Sequence, residues 1–152
     1  MAELSETLEQ FLFPIFDPDD KKKFNVLTKG LGASPGAATG RVALDAQTAV
    51  ELSKLGKRVV LVTKETSPDD IHGMSAAAGL LTARGGRTSH AAVVGRQMGK
   101  VCVVGAEEIK VNLDNRTFSV LDEVIQEGDY ISIDGFEGKV YKGDIPVVAS
   151  EV

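Results

Sequence analysis

The sequence predicts an α/β domain with a mixed sheet or two sheet layers. Buried apolar runs alternate with segments of helical periodicity from residue 30 to residue 104, and short strand-like runs separated by turns follow over 109–145. The length of 152 residues fits one domain. Apolar residues make up 43% and charged residues 26% of the chain, which is ordinary for a soluble globular protein.

The first strand–helix unit is predicted over 39–56. A strand at 39–44 is followed by Asp45, a residue type that caps helices, and a helix over 48–55 is closed by Gly56. The next run, 58–63 (RVVLVT), is continuously apolar between charged residues, which is typical of a strand buried on both faces.

Two further helices are predicted, one before a strand at 80–83 and one between that strand and a strand at 101–104. Ser67 is suited to cap the first, Pro68 suits its first position, and the helix is expected to run to Ala78 and end at Gly79. The second covers 89–98 and ends at Gly99. Beyond residue 108 the pattern predicts hairpins, with turns at 113–116 and 135–138 and strands at 130–134 and 139–141.

Residues 1–29 have a different character. Leu4, Leu8 and Phe11 recur at helical spacing, and Pro14 and Pro18 then stop the pattern. We expect residues 1–29 to be an irregular lead-in or linker and residues 30–152 to form the domain.

Composition argues against several function classes. The net charge of −5, without a long run of Lys or Arg, argues against nucleic-acid binding. No apolar stretch has the length of a membrane span and no signal peptide is evident, so a cytoplasmic protein is expected, with a plastid or another organelle left open. Cys102 is the one cysteine, and its apolar neighbours predict a buried, inert thiol.

The stretch 84–90 (RGGRTSH) carries the chemistry. Gly85 and Gly86 permit unusual backbone conformations and close approach of a ligand, and Thr88 and Ser89 are good helix-capping residues. His90 then lies in the first turn of a helix, where the partial positive charge and unpaired N–H groups favour a phosphate.

The side chains around this histidine fit a phosphoryl acceptor. A neutral imidazole is a competent nucleophile near neutral pH. Arg84 and Arg87 offer charge-assisted hydrogen bonds to phosphate oxygens. Thr88 or Ser89 is expected to hydrogen-bond one ring nitrogen and so decide which nitrogen attacks.

Other sites are weaker. His72 has no His or Cys at ligand spacing, so no metal site is predicted. Ser89 beside His90 leaves a serine hydrolase as an alternative, but no third group of a triad is evident. The glycine-rich loop 30–36 lacks the Lys-Ser/Thr ending of a P-loop, so no ATP site is predicted in this chain.

Four motifs, in order, resemble the phosphohistidine (swivelling) domain of the pyruvate phosphate dikinase family. They are 33–40 (ASPGAATG), 66–74 (TSPDDIHGM), 79–105 around RGGRTSH, and 127–135 (EGDYISIDG). The wider family of PEP-utilising enzymes includes phosphoenolpyruvate synthase and enzyme I of the sugar phosphotransferase system. The resemblance covers about 30–145 and implies a layered β/β/α fold with a mixed sheet.

The resemblance also implies roles. His90 matches the histidine phosphorylated on its tele nitrogen, with Arg84, Gly85, Gly86, Thr88 and Ser89 in support, and Thr88 matches a residue that a regulatory kinase/phosphorylase modifies in some dikinases. In such enzymes an N-terminal nucleotide-binding domain uses ATP and phosphate to phosphorylate the histidine, and a C-terminal barrel domain passes the group to pyruvate. This domain then holds no cofactor, and Mg²⁺ and ATP act at the partner domains.

Three questions stay open at this point. Arg87 is common in the synthase and enzyme I branches, whereas Ser89 and the 127–130 segment favour the dikinase. A non-catalytic swivel module is the alternative from another class. The chain's end shortly after Gly143 suggests a domain excised from a longer protein, with a natural short protein as the other possibility.

Overall fold

The computed structural model describes residues 14–148. The predicted helix near residues 4–12 lies outside them. In chain order the elements are β1 (Ile15–Phe16), α1 (Pro18–Lys21), β2 (Val26–Lys29), β3 (Leu31–Ser34), β4 (Ala37–Ala43), α2 (Ala46–Lys54), β5 (Val59–Thr63), a 3₁₀ turn (Pro68–Asp70), α3 (Ile71–Ala76), β6 (Gly79–Thr82), α4 (His90–Met98), β7 (Val101–Val104), β8 (Ile109–Asn112), β9 (Thr117–Val120), β10 (Glu123–Gln126), β11 (Tyr130–Asp134), β12 (Lys139–Lys142) and β13 (Val147–Val148).

The main sheet is mixed and has eight strands in the order β2-β12-β11-β4-β5-β6-β7-β3. Strands β4 to β7 pair in parallel, and the remaining pairs are antiparallel. The apolar runs of β5, β6 and β7 are buried, as expected for parallel strands covered on both faces. The parallel strands therefore place their carboxyl ends at one common edge.

The sheet curls so that its two ends meet at Gly30. Strands β2 and β3 are separated by this residue alone, yet they lie at opposite ends of the strand order. The N–H of Gly30 donates to the carbonyl of Gly138 at 2.8 Å, and a Cβ on Gly138 would collide with the carbonyl of Gly30. Glycine is therefore needed at this closure because two backbones approach too closely for a side chain.

Two apolar clusters lie on opposite faces of the sheet. One face packs against β8, β9 and β10, which form an antiparallel three-stranded sheet and contribute Phe118, Val120 and Ile125. The other face packs against the helices and includes Leu61, Leu80 and the helical residues Met74, Ala91 and Ala92. The predicted β/β/α layering with a mixed sheet is confirmed.

The helix caps follow the sequence closely. Asp45 accepts a hydrogen bond from the N–H of Thr48 at 2.8 Å, and Ser89 caps α4, which ends at Gly99 in the left-handed region. The predicted helix stop at Gly79 is wrong. Helix α3 ends at Ala76, and Gly79 opens β6, where a Cβ would lie 2.8 Å from Ile133.

The expectation of an irregular segment through Lys29 is also wrong. Val26–Lys29 is an edge strand of the main sheet, and α1 is capped by Asp17, whose carboxylate accepts from the N–H of Asp19. Lys21 then forms a 2.7 Å ion pair with the buried Asp134. The division of the chain into 1–29 and 30–152 stays a prediction. Within residues 14–148, no helix is both long and apolar enough to cross a membrane.

Candidate active site

The site forms where two neighbouring parallel strands end. Strand β5 ends at Thr63 and β6 at Thr82, and these two residues are partners in the pairing register. Pairing continues past the strands, because the N–H of Arg84 donates to the carbonyl of Lys64 at 2.8 Å. The segment after β5 and the loop after β6 are therefore held side by side at the carboxyl edge of the sheet, where crevices in α/β folds bind ligands.

His90 is the first residue of α4 and is half-buried. Its Nδ1 lies 2.9 Å from the hydroxyl of Thr66, in the segment after β5. The structure gives Nε2 no hydrogen-bond partner among residues 14–148. The two ring nitrogens therefore differ in environment: Nδ1 is engaged and Nε2 is available.

The expectation that Thr88 or Ser89 holds the ring is wrong. Ser89 is committed to the backbone, donating from Oγ to the carbonyl of Gly86 at 2.7 Å and accepting at 3.4 Å from the N–H of Ala92. Thr88 is exposed and has no hydrogen bond to the ring. Ser89 thus caps the helix, and Thr66 orients the imidazole.

The loop before His90 requires glycine at one position of the pair. Gly85 has φ +108°, and a Cβ there would lie 2.8 Å from the side chain of Ser89. The backbone of Gly105 packs closely against the same loop, since a Cβ at residue 105 would lie 2.8 Å from the carbonyl oxygen of Gly85. A Cβ on Gly86 would meet nothing within 4 Å, and its φ lies outside the left-handed region. The expectation of conformational need at both glycines therefore holds for Gly85 and fails for Gly86.

Arg96 fastens the same loop to the rest of the domain. Its guanidinium donates to the carbonyl of Arg87 at 2.6 Å and to the carbonyl of Ala33 at 3.2 Å. Arg96 lies in α4 and Ala33 in β3, so the loop is tied to both its own helix and the sheet. The hydroxyl of Thr82 fixes the start of the loop by donating to the carbonyl of Arg84 at 2.7 Å.

A pocket of about 260 Å³ lies beside the imidazole. It is lined by Glu65, Thr66, Arg84, Gly85, Ser89, His90 and Ala91. Arg84 supplies the cation of the pocket and Glu65 an opposing carboxylate. Thr88, Gly86 and Arg87 do not line it, so the structure brings together four of the residues predicted from the sequence: Arg84, Gly85, Ser89 and His90.

Sequence reasoning missed Thr66, Glu65 and Arg96. The signal for Thr66 and Glu65 was available, because polar residues that follow adjacent parallel strands meet at one sheet edge. Nothing local marks Arg96, whose two acceptors are backbone carbonyls at sequence separations of 9 and 63 residues.

Other reactive groups stand apart from this pocket. Burial raises the pKa of the Cys102 thiol to about 12, which fits the predicted inert role. His72 is exposed on α3. Among residues 14–148, no cluster of His, Cys, Asp and Glu has the composition and spacing to hold a metal ion.

Comparison with known proteins decides the family. Residues 55–138, which include the pocket, match the family described as "PEP-utilising enzyme, mobile domain". The chain belongs to this family of mobile domains. The match covers β5 to β11 and the turn before β12, and so includes both strands that position Thr66 and His90.

Relatives of this mobile domain are proteins named pyruvate, phosphate dikinase. The Clostridium symbiosum protein is 51% identical over 97% of this chain and 17% of its own length. The Entamoeba histolytica protein is 55% identical over 83% of this chain and 14% of its own length. The chloroplastic protein of Flaveria trinervia is 50% identical over 91% of this chain and 15% of its own length. The chain thus spans about a sixth of the length of the curated relatives it matches.

A solved structure also matches. The NMR solution structure of an Enzyme I protein is 31% identical, with a TM-score of 0.40, over 59% of this chain and 32% of that chain.

Proposed function

We propose that this mobile domain carries a phosphoryl group on Nε2 (the tele nitrogen) of His90 between two reaction partners. The observation that carries the proposal is the 2.9 Å contact between Nδ1 and the Thr66 hydroxyl. In the tautomer with hydrogen on Nδ1, the ring donates to Thr66 and Nε2 keeps its lone pair for attack.

The transfer step conserves atoms and electrons when Nε2 is the nucleophile. The Nε2 lone pair forms a bond to phosphorus while the bond between phosphorus and the donor's leaving oxygen breaks, and that oxygen keeps the electron pair. The proton on Nδ1 stays in the hydrogen bond to Thr66, so the product ring is a cationic phosphoimidazolium. An acceptor oxygen later attacks the same phosphorus, and Nε2 leaves with the electron pair of the N–P bond.

The pocket suits the phosphate oxygens. The N-terminal N–H groups of α4 have no partners within their own helix, and the helix start carries partial positive charge. Arg84 lines the same pocket and adds a full positive charge. Arg84, Gly85, Gly86 and Ser89 therefore support His90 in this proposal, with Gly86 acting through its backbone carbonyl.

The relatives support a proposal for the wider reaction. Identity near 50% to proteins named pyruvate, phosphate dikinase supports a phosphotransferase in which ATP and phosphate, at an N-terminal nucleotide-binding domain, phosphorylate His90. A barrel domain then receives the group and forms phosphoenolpyruvate from pyruvate, with Mg²⁺ acting at both partner sites. The small share of each relative that the chain covers supports partner domains outside this one, so the isolated domain is not expected to complete the reaction.

The geometry of β1 and β13 is consistent with a swinging carrier. These strands pair with each other, Ile15 with Val148 and Phe16 with Val147. They lie at the start of β4, because the N–H of Ala37 donates to the carbonyl of Pro14. His90 lies at the opposite, carboxyl edge of the parallel strands, so a rotation of the domain about the β1–β13 ribbon would displace His90.

We expect Thr88 to be a regulatory position. It is exposed and lies two residues before His90. A phosphate there adds about −1.5 to −2 of charge near the acceptor and repels an incoming phosphoryl donor. Thr88→Asp should slow phosphorylation of His90, and the uncharged Thr88→Asn should not. Equal rates in the two variants would count against this role.

The direct test is incorporation of labelled phosphate. The domain is incubated with the nucleotide-binding domain of a pyruvate, phosphate dikinase, ATP and phosphate, and an acid-labile, base-stable label is expected. His90→Ala should abolish the label, whereas His72→Ala, which removes the other histidine of the chain, should retain it. A wild-type domain that takes no label would identify a non-catalytic binding module instead.

A further inference from the structure

A second, larger groove adjoins the His90 pocket. It has a volume of about 480 Å³ and is lined by Lys64, Ala83, Arg84, Glu107, Ile109, Lys110 and Val111. Its location is the crevice between the carboxyl ends of β5 and β6 and strand β8 of the smaller sheet. We call it the cationic groove.

The rim of the cationic groove carries three cations. Lys64 follows β5, Arg84 follows β6, and Lys110 lies in β8. None of the three forms an ion pair with a carboxylate among residues 14–148, and Glu107 is the single acidic residue of the lining. In a chain with a net charge of −5, a groove with this excess of positive charge is a local exception that favours an anionic ligand.

The two pockets share one lining side chain. Arg84 lines both the groove and the His90 pocket, and Lys64 precedes Glu65 and Thr66 of that pocket. A ligand with one phosphorus at His90 therefore finds its next charge partner at Arg84 and further partners at Lys64 and Lys110. Between the rim cations the lining is apolar, with Ala83, Ile109 and Val111, and a less polar surrounding strengthens the attraction between charges.

We propose that the cationic groove binds the oligophosphate part of the phosphoryl donor, beyond the phosphorus that is transferred to His90. The inference rests on the proposed carrier function and names the ligand class of the same site. Glu107 opposes the ligand and limits its affinity, which suits a donor that must leave after each transfer.

The test measures binding apart from transfer. The variant His90→Ala is titrated with inorganic tripolyphosphate, and backbone amides are followed by NMR against sodium sulfate at equal ionic strength. Tripolyphosphate should bind saturably and shift the amides of Lys64, Arg84 and Lys110 more than sulfate does.

Charge variants locate the binding. Lys64→Gln and Lys110→Gln should each weaken tripolyphosphate binding by about two- to five-fold, the range for exposed charge pairs. Glu107→Gln should strengthen it. The matched control is Lys57→Gln, which removes the same charge from an exposed lysine at the amino end of β5. Equal weakening by Lys57→Gln, or shifts no larger than those with sulfate, would overturn the groove as a site.

The outcome is separable from that of the carrier function. If His90 takes up labelled phosphate but tripolyphosphate does not bind the groove, this inference fails and the carrier function stands. If tripolyphosphate binds with the expected variant pattern but His90 takes no label, the groove stands as an oligophosphate site and the carrier function fails.

Discussion

The hydroxyl of Thr66 and Nδ1 of His90 lie 2.9 Å apart across 24 residues of sequence. Parallel pairing of β5 with β6 brings them together, because each follows one of these strands. The contact distinguishes the two nitrogens of the imidazole. It makes Thr66 a positioning residue whose effect should differ from that of His90 itself.

Thr66→Val should slow phosphorylation of His90 without abolishing it. The loss of one hydrogen bond, worth about 0.5–1.5 kcal/mol, corresponds to a rate about two- to ten-fold lower. The rate of label uptake measures this. Thr66→Ser keeps a hydroxyl and should recover most of the rate.

Nitrogen NMR of the His90 ring supplies a second measurement. The wild-type ring should be dominated by the tautomer with hydrogen on Nδ1, and Thr66→Val should increase the share of the other tautomer. An unchanged tautomer ratio together with an unchanged rate would contradict the positioning role.

The two glycines before His90 offer a matched pair of variants. Gly85→Ala places a side chain at φ +108° and against Ser89, so we expect a loss of about 1–3 kcal/mol in the free energy of unfolding. Gly86→Ala points its methyl group into open space, and we expect a change within about 0.5 kcal/mol. Urea denaturation of both variants measures the difference. Equal destabilisation would show that the loop does not have the described conformation.

Arg96 should keep the loop 84–89 ordered, because its guanidinium binds the backbone carbonyls of Arg87 and Ala33. Arg96→Gln removes the hydrogen bonds to Arg87 and Ala33, and the net loss in unfolding free energy should be about 1–3 kcal/mol. Amide hydrogen exchange over 84–89 should accelerate, because the loop loses its tie to β3. The control is Arg87→Gln, which alters the side chain but keeps the carbonyl that Arg96 binds. Faster exchange in both variants alike would argue against the tie.

The sequence was sufficient for the features that depend on neighbours along the chain. Asp45 and Ser89 have cap-type side chains, and both cap helices in the structure. The continuous apolar runs of β5 and β7 predict burial on two faces, and both strands are buried. These properties follow from local hydrogen bonding and hydrophobic periodicity, so no knowledge of the remaining fold is needed.

Features that join distant segments were not predictable in this way. The tie from Arg96 to Ala33 and the closure of the sheet at Gly30 depend on which strands become neighbours. Gly79 shows the same limit. Its sequence context resembles a helix end, but Gly79 opens β6, where Ile133 and Ala38 leave no room for a side chain.

A group of ion pairs around Arg116 joins the smaller sheet to α2. Arg116 donates to Asp45 at 3.0 Å and to Glu127 at 2.6 Å, and also to the hydroxyl of Thr48. Burial alone raises the pKa of Asp45, but the hydrogen bonds from Thr48 and Arg116 outweigh it, so the pKa is lowered from its ordinary value. Asp45 therefore couples capping of α2 to the position of β9.

This coupling predicts a pH dependence of stability. A carboxyl whose pKa is lower in the folded state stabilises the fold above its unfolded pKa of about 3.9, and that contribution is lost as the pH falls through the folded pKa. Asp45→Asn keeps a cap-type side chain and loses the ion pair, so at pH 7 we expect it to be less stable by up to about 1 kcal/mol. The difference between wild type and variant should persist from pH 7 to about pH 5 and shrink below about pH 4, which urea denaturation across this range measures. Asp114→Asn is the control, since Asp114 is exposed and makes no ion pair among the described residues. A wild-type advantage over Asp45→Asn that stayed constant down to pH 3 would contradict the ionised contact with Arg116.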